Sequence, residues 1–230
     1  RRARRSEIVC ALSLMPTSAD FVVDFPTLYV AAAWCESHCS VPDGFRAGRP
    51  WEFYQWQLWC HLNFYRVKPD AVWRPSDPVL APAFYFRRSQ EVGPQKLGKG
   101  PNGAVRTANE GVGPALFAGW AGKDDGYVCA DWGCGCGWEY PYEPGEAMGM
   151  PWPSPLIQIT ATAEDQTDNV YRPLQAMARR GPLSDLMRVG EEFIRLPNNG
   201  RIDVVTSSAQ ARLGQPITFA LQEETGLWTV

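Results

Sequence analysis

The sequence predicts an α/β protein with a mostly parallel sheet, and three observations carry that prediction. Apolar runs rich in strand formers recur at 156–162 (L-I-Q-I-T-A-T), 201–206 (R-I-D-V-V-T) and 217–221 (I-T-F-A-L). A stretch with helix-start and helix-stop signals lies between the first two, and strands alternating with helices build a parallel sheet. Upstream, residues 93–100 read G-P-Q-K-L-G-K-G, a loop whose glycines and lysine suit a phosphate group at the mouth of such a sheet.

Residues 1–82 read as an N-terminal helical segment and 83–230 as the sheet-bearing core. The run Arg1, Arg2, Arg4 and Arg5 precedes a short apolar stretch at 8–15. Glu7 stands between them and no small-residue cleavage site follows, so a secretory signal is rejected. The chain does not begin with Met, and a fragment is expected. Ala31, Ala32, Ala33 and Trp34 predict a helix within 19–35, and Pro42, Asp43 and Gly44 a turn. Residues 51–65 predict a core helix with Trp56, Trp59 and Leu62 on its packed face. Gln57 stands apart within it, because an amide offers the donor and acceptor that match the Watson–Crick edge of adenine and would select ATP over GTP.

The proline-rich stretch 69–82 reads as a connector, and 83–92 as the strand that leads into the loop. Phe84, Tyr85 and Phe86 suit a strand. Arg87, Arg88, Gln90 and Glu91 are too polar for a central parallel strand and call for an exposed face or charge partners. Pro101, Asn102 and Gly103 open the next helix poorly, and Ala104 to Ala108 continue it better. Residues 119–155, rich in Gly, Pro, Trp and Cys, form an insertion outside the sheet, stapled by aromatics or a metal. Thr162, Glu164 and Asp165 mark the start of a helix that runs toward Arg179 and Arg180 and stops at Gly181-Pro182. Residues 184–195 hold a further short helix or strand, and there are no internal repeats.

The candidate chemistry begins at the loop. Gly93 and Gly98 let the backbone curl so that N–H groups of Pro94's successors Gln95, Lys96 and Leu97 converge on phosphate oxygens. Lys99 places a compact charge on the β- and γ-phosphates. Gly100 stands where a Ser or Thr would normally hold magnesium. Near the C-terminus the apolar run ends in Glu223 and Glu224. The first suits a magnesium ion, held through water, and the second suits the general base that polarises the attacking water. The opposed reading of that pair is a solvated turn after a buried strand.

Composition excludes some classes. With 22 basic and 25 acidic residues there is no global pull toward nucleic acid, and no apolar stretch is long enough to span a membrane. Seven cysteines, an odd number, fit a reducing compartment better than a disulfide framework. Cys129, Cys134 and Cys136 form the best candidate zinc group, and Cys35-x-x-His38-Cys39 is a second, equally incomplete one. Zinc needs four ligands, and with His38 and His61 distant in sequence the reading taken is buried free thiols and no zinc.

Several spaced segments together resemble the large terminase subunit of tailed bacteriophages, the motor that packages DNA into a procapsid. They are V-P-D-G-F at 41–45, W-Q-L-W at 56–59, R-R-S at 87–89 and G-P-Q-K-L-G-K-G-P at 93–101. I-T-A-T-A-E-D-Q at 159–166, V-V-T-S-S-A-Q-A-R-L-G at 204–214 and F-A-L-Q-E-E-T-G at 219–226 complete the series. The resemblance implies a P-loop NTPase three-layer sandwich of the additional-strand, conserved-glutamate type, truncated after the acidic-pair strand, with 119–155 inserted. It implies an adenine-contacting glutamine at Gln57, a nucleotide loop at 93–100 and an acidic pair at Glu223 and Glu224. ATP and Mg2+ follow as cofactors. Double-stranded DNA, a portal protein and a small terminase subunit follow as partners, with homo-oligomerisation of the full-length protein, in the host cytoplasm and at the procapsid portal. The family's nuclease domain lies beyond Val230, so no nuclease activity is expected of this chain. Gly100, the polar Gln90 and Glu91, and Glu223 in place of Asp depart from the pattern; the last moves the carboxylate out by roughly 1.5 Å. Three rivals remain: a helicase-like P-loop translocase, a non-catalytic zinc or nucleic-acid-binding module around Cys129 to Cys136, and a chain that binds ATP and does nothing further. Arg87, Arg88 and Arg212 are candidates for an arginine that completes a neighbouring site.

Overall fold

A computed structural model describes residues 22–74, 81–161, 164–190, 193–206 and 216–223. Two helices open the described chain, α1 (Tyr29–His38) and α2 (Gln55–Phe64), followed after the connector by α3 (Lys99–Val112). Four short strands come next: β1 (Leu116–Trp120), β2 (Gly126–Val128), β3 (Glu139–Pro141) and β4 (Ala147–Met150). Then come β5 (Leu156–Ala161), α4 (Glu164–Ala178), α5 (Leu183–Leu186), β6 (Arg188–Val189), β7 (Phe193–Arg195), β8 (Arg201–Thr206) and β9 (Phe219–Gln222).

The main sheet has the order β6-β7-β8-β5-β9. Strand β5 pairs in parallel with both β8 and β9, at Ile159↔Val204 and Ile159↔Leu221, while β6-β7 and β7-β8 are antiparallel. The sheet is therefore mixed, and the expected mostly parallel character is confined to β8-β5-β9. Ile157, Ile159 and Ala161 are wholly buried at its centre. Residues 116–150 fold outside this sheet as two nested antiparallel pairs, β1-β4 around β2-β3.

The strand expected over 83–92 is absent: these residues run as irregular backbone with a single bridge, Phe84 to Val67. The cause is the polarity noted in the sequence. Glu91 turns to α3, where its carboxylate meets Arg106 Nη2 at 2.6 Å and Asn102 Nδ2 at 3.2 Å, and Ser89 Oγ lies 3.3 Å from Arg106 Nη1. Charge partners on a helix have replaced a place in the sheet.

Helix α2 buries Leu62 as expected, but its buried face is turned away from Trp59. Gln57, Leu58, His61 and Leu62 point inward, whereas Trp59 is half exposed. Helix α3 is longer than its opening residues suggested, and the small residues there serve packing. A Cβ on Gly103 would lie 3.0 Å from Leu221 Cδ1 and 3.4 Å from Val170, so β9 and α4 close over that turn. At the other end, a Cβ on Gly111 would meet Leu196, Ile202 and Ile157.

Candidate functional site

Those two contacts give α3 its direction. Gly103 abuts Leu221, late in β9, and Gly111 abuts Ile157 and Ile202, early in β5 and β8. The helix therefore runs opposite to the parallel strands, and its N-terminus with the preceding loop lies at their C-terminal edge. Glu223 leaves β9 at the same edge: it stands two residues past Leu221, about 7 Å along a strand, as Lys99 stands four residues before Gly103, about 6 Å along a helix. Ligands of open α/β sheets bind at this edge.

The loop itself is curled. Lys96 and Gly98 adopt φ of +63° and +85°, a region costly to Lys and open to Gly, and α3 starts at Lys99 directly after the left-handed Gly98. Lys99 Nζ folds back to donate to the carbonyls of Gly93 at 2.6 Å and Pro94 at 2.9 Å. The ammonium thus sits inside the curl formed by Gly93, Pro94, Gln95, Lys96 and Leu97, with the positive end of a 14-residue helix behind it.

Gln57 lies against this loop. Its Oε1 accepts the Tyr54 N–H at 3.0 Å as part of a capping box, and the residue is wholly buried. Its Nε2 has no hydrogen-bond partner and sits 3.5 Å from the position of a Cβ on Gly98. One of the two lone pairs on the acceptor half of the expected adenine-reading pair is therefore committed to α2. The donor half, wholly unpaired, faces the loop.

Gly100 has a steric explanation. A Cβ there would stand 2.3 Å from the backbone oxygen of Asn169 in α4. That oxygen is the one whose helical donor would be residue 173, and Pro173 has no N–H to give. The close helix contact excludes the Ser or Thr that a magnesium-holding loop normally carries. Glu223 is half buried, and its backbone N–H is held by the Thr160 carbonyl at 2.8 Å. Glu224 and Arg212 lie outside the described residues; Arg87 and Arg88 are exposed.

A second constellation is assembled in the insertion. The β2-β3 hairpin carries Cys129 directly after β2, then a short 3-10 turn that ends at Gly133 with φ of +83°, which doubles the chain back so that Cys134 and Cys136 face Cys129. The fourth member is His38, the last residue of α1, about 90 positions away in sequence. Its Nε2 lies 3.1 Å from Cys129 Sγ and 3.4 Å from Cys136 Sγ, and the four ligand atoms all fall within 4.8 Å of one another. The expectation that no fourth ligand is at hand is corrected here: α1 supplies it by packing beside the hairpin. His61 is not part of the group; it is buried among Phe53 and Tyr65.

His38 Nδ1 is 3.0 Å from the Trp34 carbonyl, which can only accept, so Nδ1 carries the hydrogen and Nε2 presents its lone pair to the sulfurs. Burial pulls the imidazole pKa down to about 4, and the ring is neutral at pH 7. Burial first, then the neighbouring thiols, push Cys129 well up, and burial raises Cys134. The sequence signal for His38 was its own truncated C-x-x-H-C group. Only His38 of that group joins the cluster; Cys35 and Cys39 are buried free thiols outside it.

Over 87 residues, 37% of the chain, the sequence is 32% identical to the Gene 13 protein of Mycobacterium phage D29, and the match spans 15% of that protein's length. No protein-family model and no solved structure matches the chain. Among the described residues, no helix is long and apolar enough to cross a membrane.

Proposed function

We propose that the chain is the ATPase portion of a phage DNA-packaging terminase large subunit, in which ATP hydrolysis drives translocation of double-stranded DNA. The observation that carries the reading is the placement of the loop. Lys99, the N-terminus of α3 and Glu223 gather at the C-terminal edge of three parallel strands, with the Lys99 ammonium turned into the loop. The likeness to a phage protein over more than a third of the chain supports the phage setting.

In this reading the Lys99 contacts to Gly93 and Pro94 exchange for phosphate oxygens, since an ammonium donates equally well to either. The helix end stabilises the same negative charge. Gln57 would act on the loop through its unpaired Nε2 donors rather than through a donor–acceptor pair on the Watson–Crick edge of adenine. Magnesium has a carboxylate in Glu223 but no hydroxyl at position 100, which suits an ion that keeps most of its water and takes the rest of its shell from phosphate. When bound it would neutralise charge between the β- and γ-phosphates. Glu224 keeps the role of general base in the proposal.

Binding of a fluorescent ATP analogue with magnesium tests the reading. The wild-type chain should saturate, and Lys99→Ala should weaken binding at least about tenfold, the loss of one charge-assisted contact to phosphate. Equal binding by the two folded proteins would overturn the assignment of residues 93–100.

A further inference from the structure

We propose that His38, Cys129, Cys134 and Cys136 hold one structural Zn2+ ion, which ties the β2-β3 hairpin to the C-terminus of α1. The inference is independent of the nucleotide reading.

The donor set comes first. Three thiol sulfurs and one imidazole nitrogen match a closed four-coordinate zinc site, and thiolate-rich sets with imidazole select zinc over the harder divalent ions. Reach comes second. A tetrahedral ion with Zn–S of about 2.3 Å and Zn–N of about 2.0 Å requires sulfurs about 3.8 Å apart and about 3.5 Å from the nitrogen. The Nε2–Sγ distances of 3.1 and 3.4 Å are a few tenths shorter, and the 4.8 Å ceiling on the whole set is about twice one Zn–S bond. One ion can therefore touch all four atoms after small side-chain adjustments.

The surroundings are built to orient the ligands. The Trp34 carbonyl fixes the His38 tautomer so that Nε2 faces the sulfurs, as a second-shell acceptor does for a metal-bound imidazole. The Trp138 N–H donates to Cys136 Sγ at 3.4 Å, a contact that stabilises a thiolate. Trp34 stacks on the His38 ring at 4.5 Å and Trp138 meets it edge-on at 5.3 Å, so the imidazole is walled by indoles. Cys129 and Cys134 are buried, while Cys136 is exposed and gives an ion its way in.

The site also answers a structural need. The hairpin has three residues per strand and, among the described residues, pairs with no other strand. An isolated two-stranded ribbon is marginal in water. A metal bound to its tip and to α1 adds a coordinate tie to the core packing of Tyr127 and Tyr140. Helix α1 in turn packs on α3, so the tie reaches the helix behind the loop.

The test uses the whole 230-residue chain purified under reducing conditions without chelator. Metal analysis should find one zinc per chain, and X-ray absorption should show three sulfurs at about 2.3 Å and one nitrogen at about 2.0 Å. Cys136→Ser, at the exposed ligand, should lose most of the zinc, while Cys60→Ser should keep it. Since loss of a buried ligand can prevent folding, Co2+ added to metal-free wild type gives a second readout: intense tetrahedral d–d bands and a sulfur-to-cobalt charge-transfer band. Folded wild type that takes up neither ion overturns the proposal. So does a four-sulfur shell, which would replace His38 by another cysteine, or full zinc content in Cys136→Ser.

Discussion

Gly100→Ser is the substitution that would restore the usual magnesium-holding hydroxyl to the loop, and the packing predicts that it harms the protein. The serine Cβ would stand 2.3 Å from the Asn169 carbonyl oxygen, against 3.4 Å for ordinary contact, a deficit of 1.1 Å. The obstacle is backbone in α4, so it cannot swing aside as a side chain would. Relief requires α3 and α4 to move apart, and overpacking of this kind costs about 1–3 kcal/mol. Replacing a helical glycine by serine returns about 0.5 kcal/mol of helix propensity, which leaves a net loss of about 0.5–2.5 kcal/mol. At about 2–4 °C per kcal/mol for a chain of this size, the unfolding midpoint should fall by several degrees. Gly103→Ala is the control: its Cβ would lie 3.0 Å from Leu221 Cδ1, the movable end of a side chain, so the propensity gain should nearly offset the crowding. Thermal unfolding followed by circular dichroism measures both, with nucleotide binding alongside. A Gly100→Ser protein as stable as wild type, binding Mg–nucleotide more tightly, would refute the packing argument. Position 100 would then be a missing ligand and nothing more.

Two further outcomes follow from charged groups on α3. Burial, outweighing its bonds from Tyr65 and Trp152 and the nearby Arg106, raises the Glu110 pKa from 4.5 to about 7. Because the folded-state value is the higher one, the folded chain binds the extra proton between pH 4.5 and 7, and stability falls as pH rises through that window. At about 1.4 kcal/mol per pH unit the contribution is about 3 kcal/mol. Urea unfolding from pH 5 to pH 8 should show that slope in wild type and lose it in Glu110→Gln; an unchanged slope in the variant would assign it to other groups. Glu91→Ala leaves Arg106, only 9% exposed, without its ion partner, and should destabilise the chain by about 3 kcal/mol in the same assay. A loss below about 1 kcal/mol would show that solvent screens the pair.

The strands with continuous apolar character were legible, because a run such as Leu156–Ala161 has few alternatives to a buried strand. Helix α4 was legible from its punctuation at Glu164 and Gly181. The short strands β1 to β4 were not, since three to five residues carry little periodicity and their pairing is decided across the chain. On α2 the aromatic residues suggested one buried face and the structure uses another. Trp56 and Trp59 are amphipathic enough to stay near water, while Gln57 goes inside because its amide oxygen caps the helix. The loop was readable as a motif, but the role of Gly100 was not, because Asn169 approaches it from a helix about 70 residues downstream. His38 failed for the same reason: spacing rules detect ligands that are neighbours in sequence, and this set is closed by tertiary packing.

The loop lacks the usual support of a strand running straight into it, and side chains take over that task. Glu91, two residues before Gly93, is pinned to Arg106 and Asn102, so the entry to the loop is fastened to the helix that leaves it. Lys99 closes the curl from within by holding the Gly93 and Pro94 carbonyls. Gln57 abuts Gly98 with a buried amide donor that has no partner, and such a group costs about 1–3 kcal/mol until it finds an acceptor. Both bonded tethers come from α3, and Gln57 adds a packing contact from α2. Any movement of α3 relative to α2 therefore changes the loop directly. A phosphate that took Lys99 from its carbonyls would leave Gly93 and Pro94 free to accept from other donors. The Gln57 amide is already at the loop.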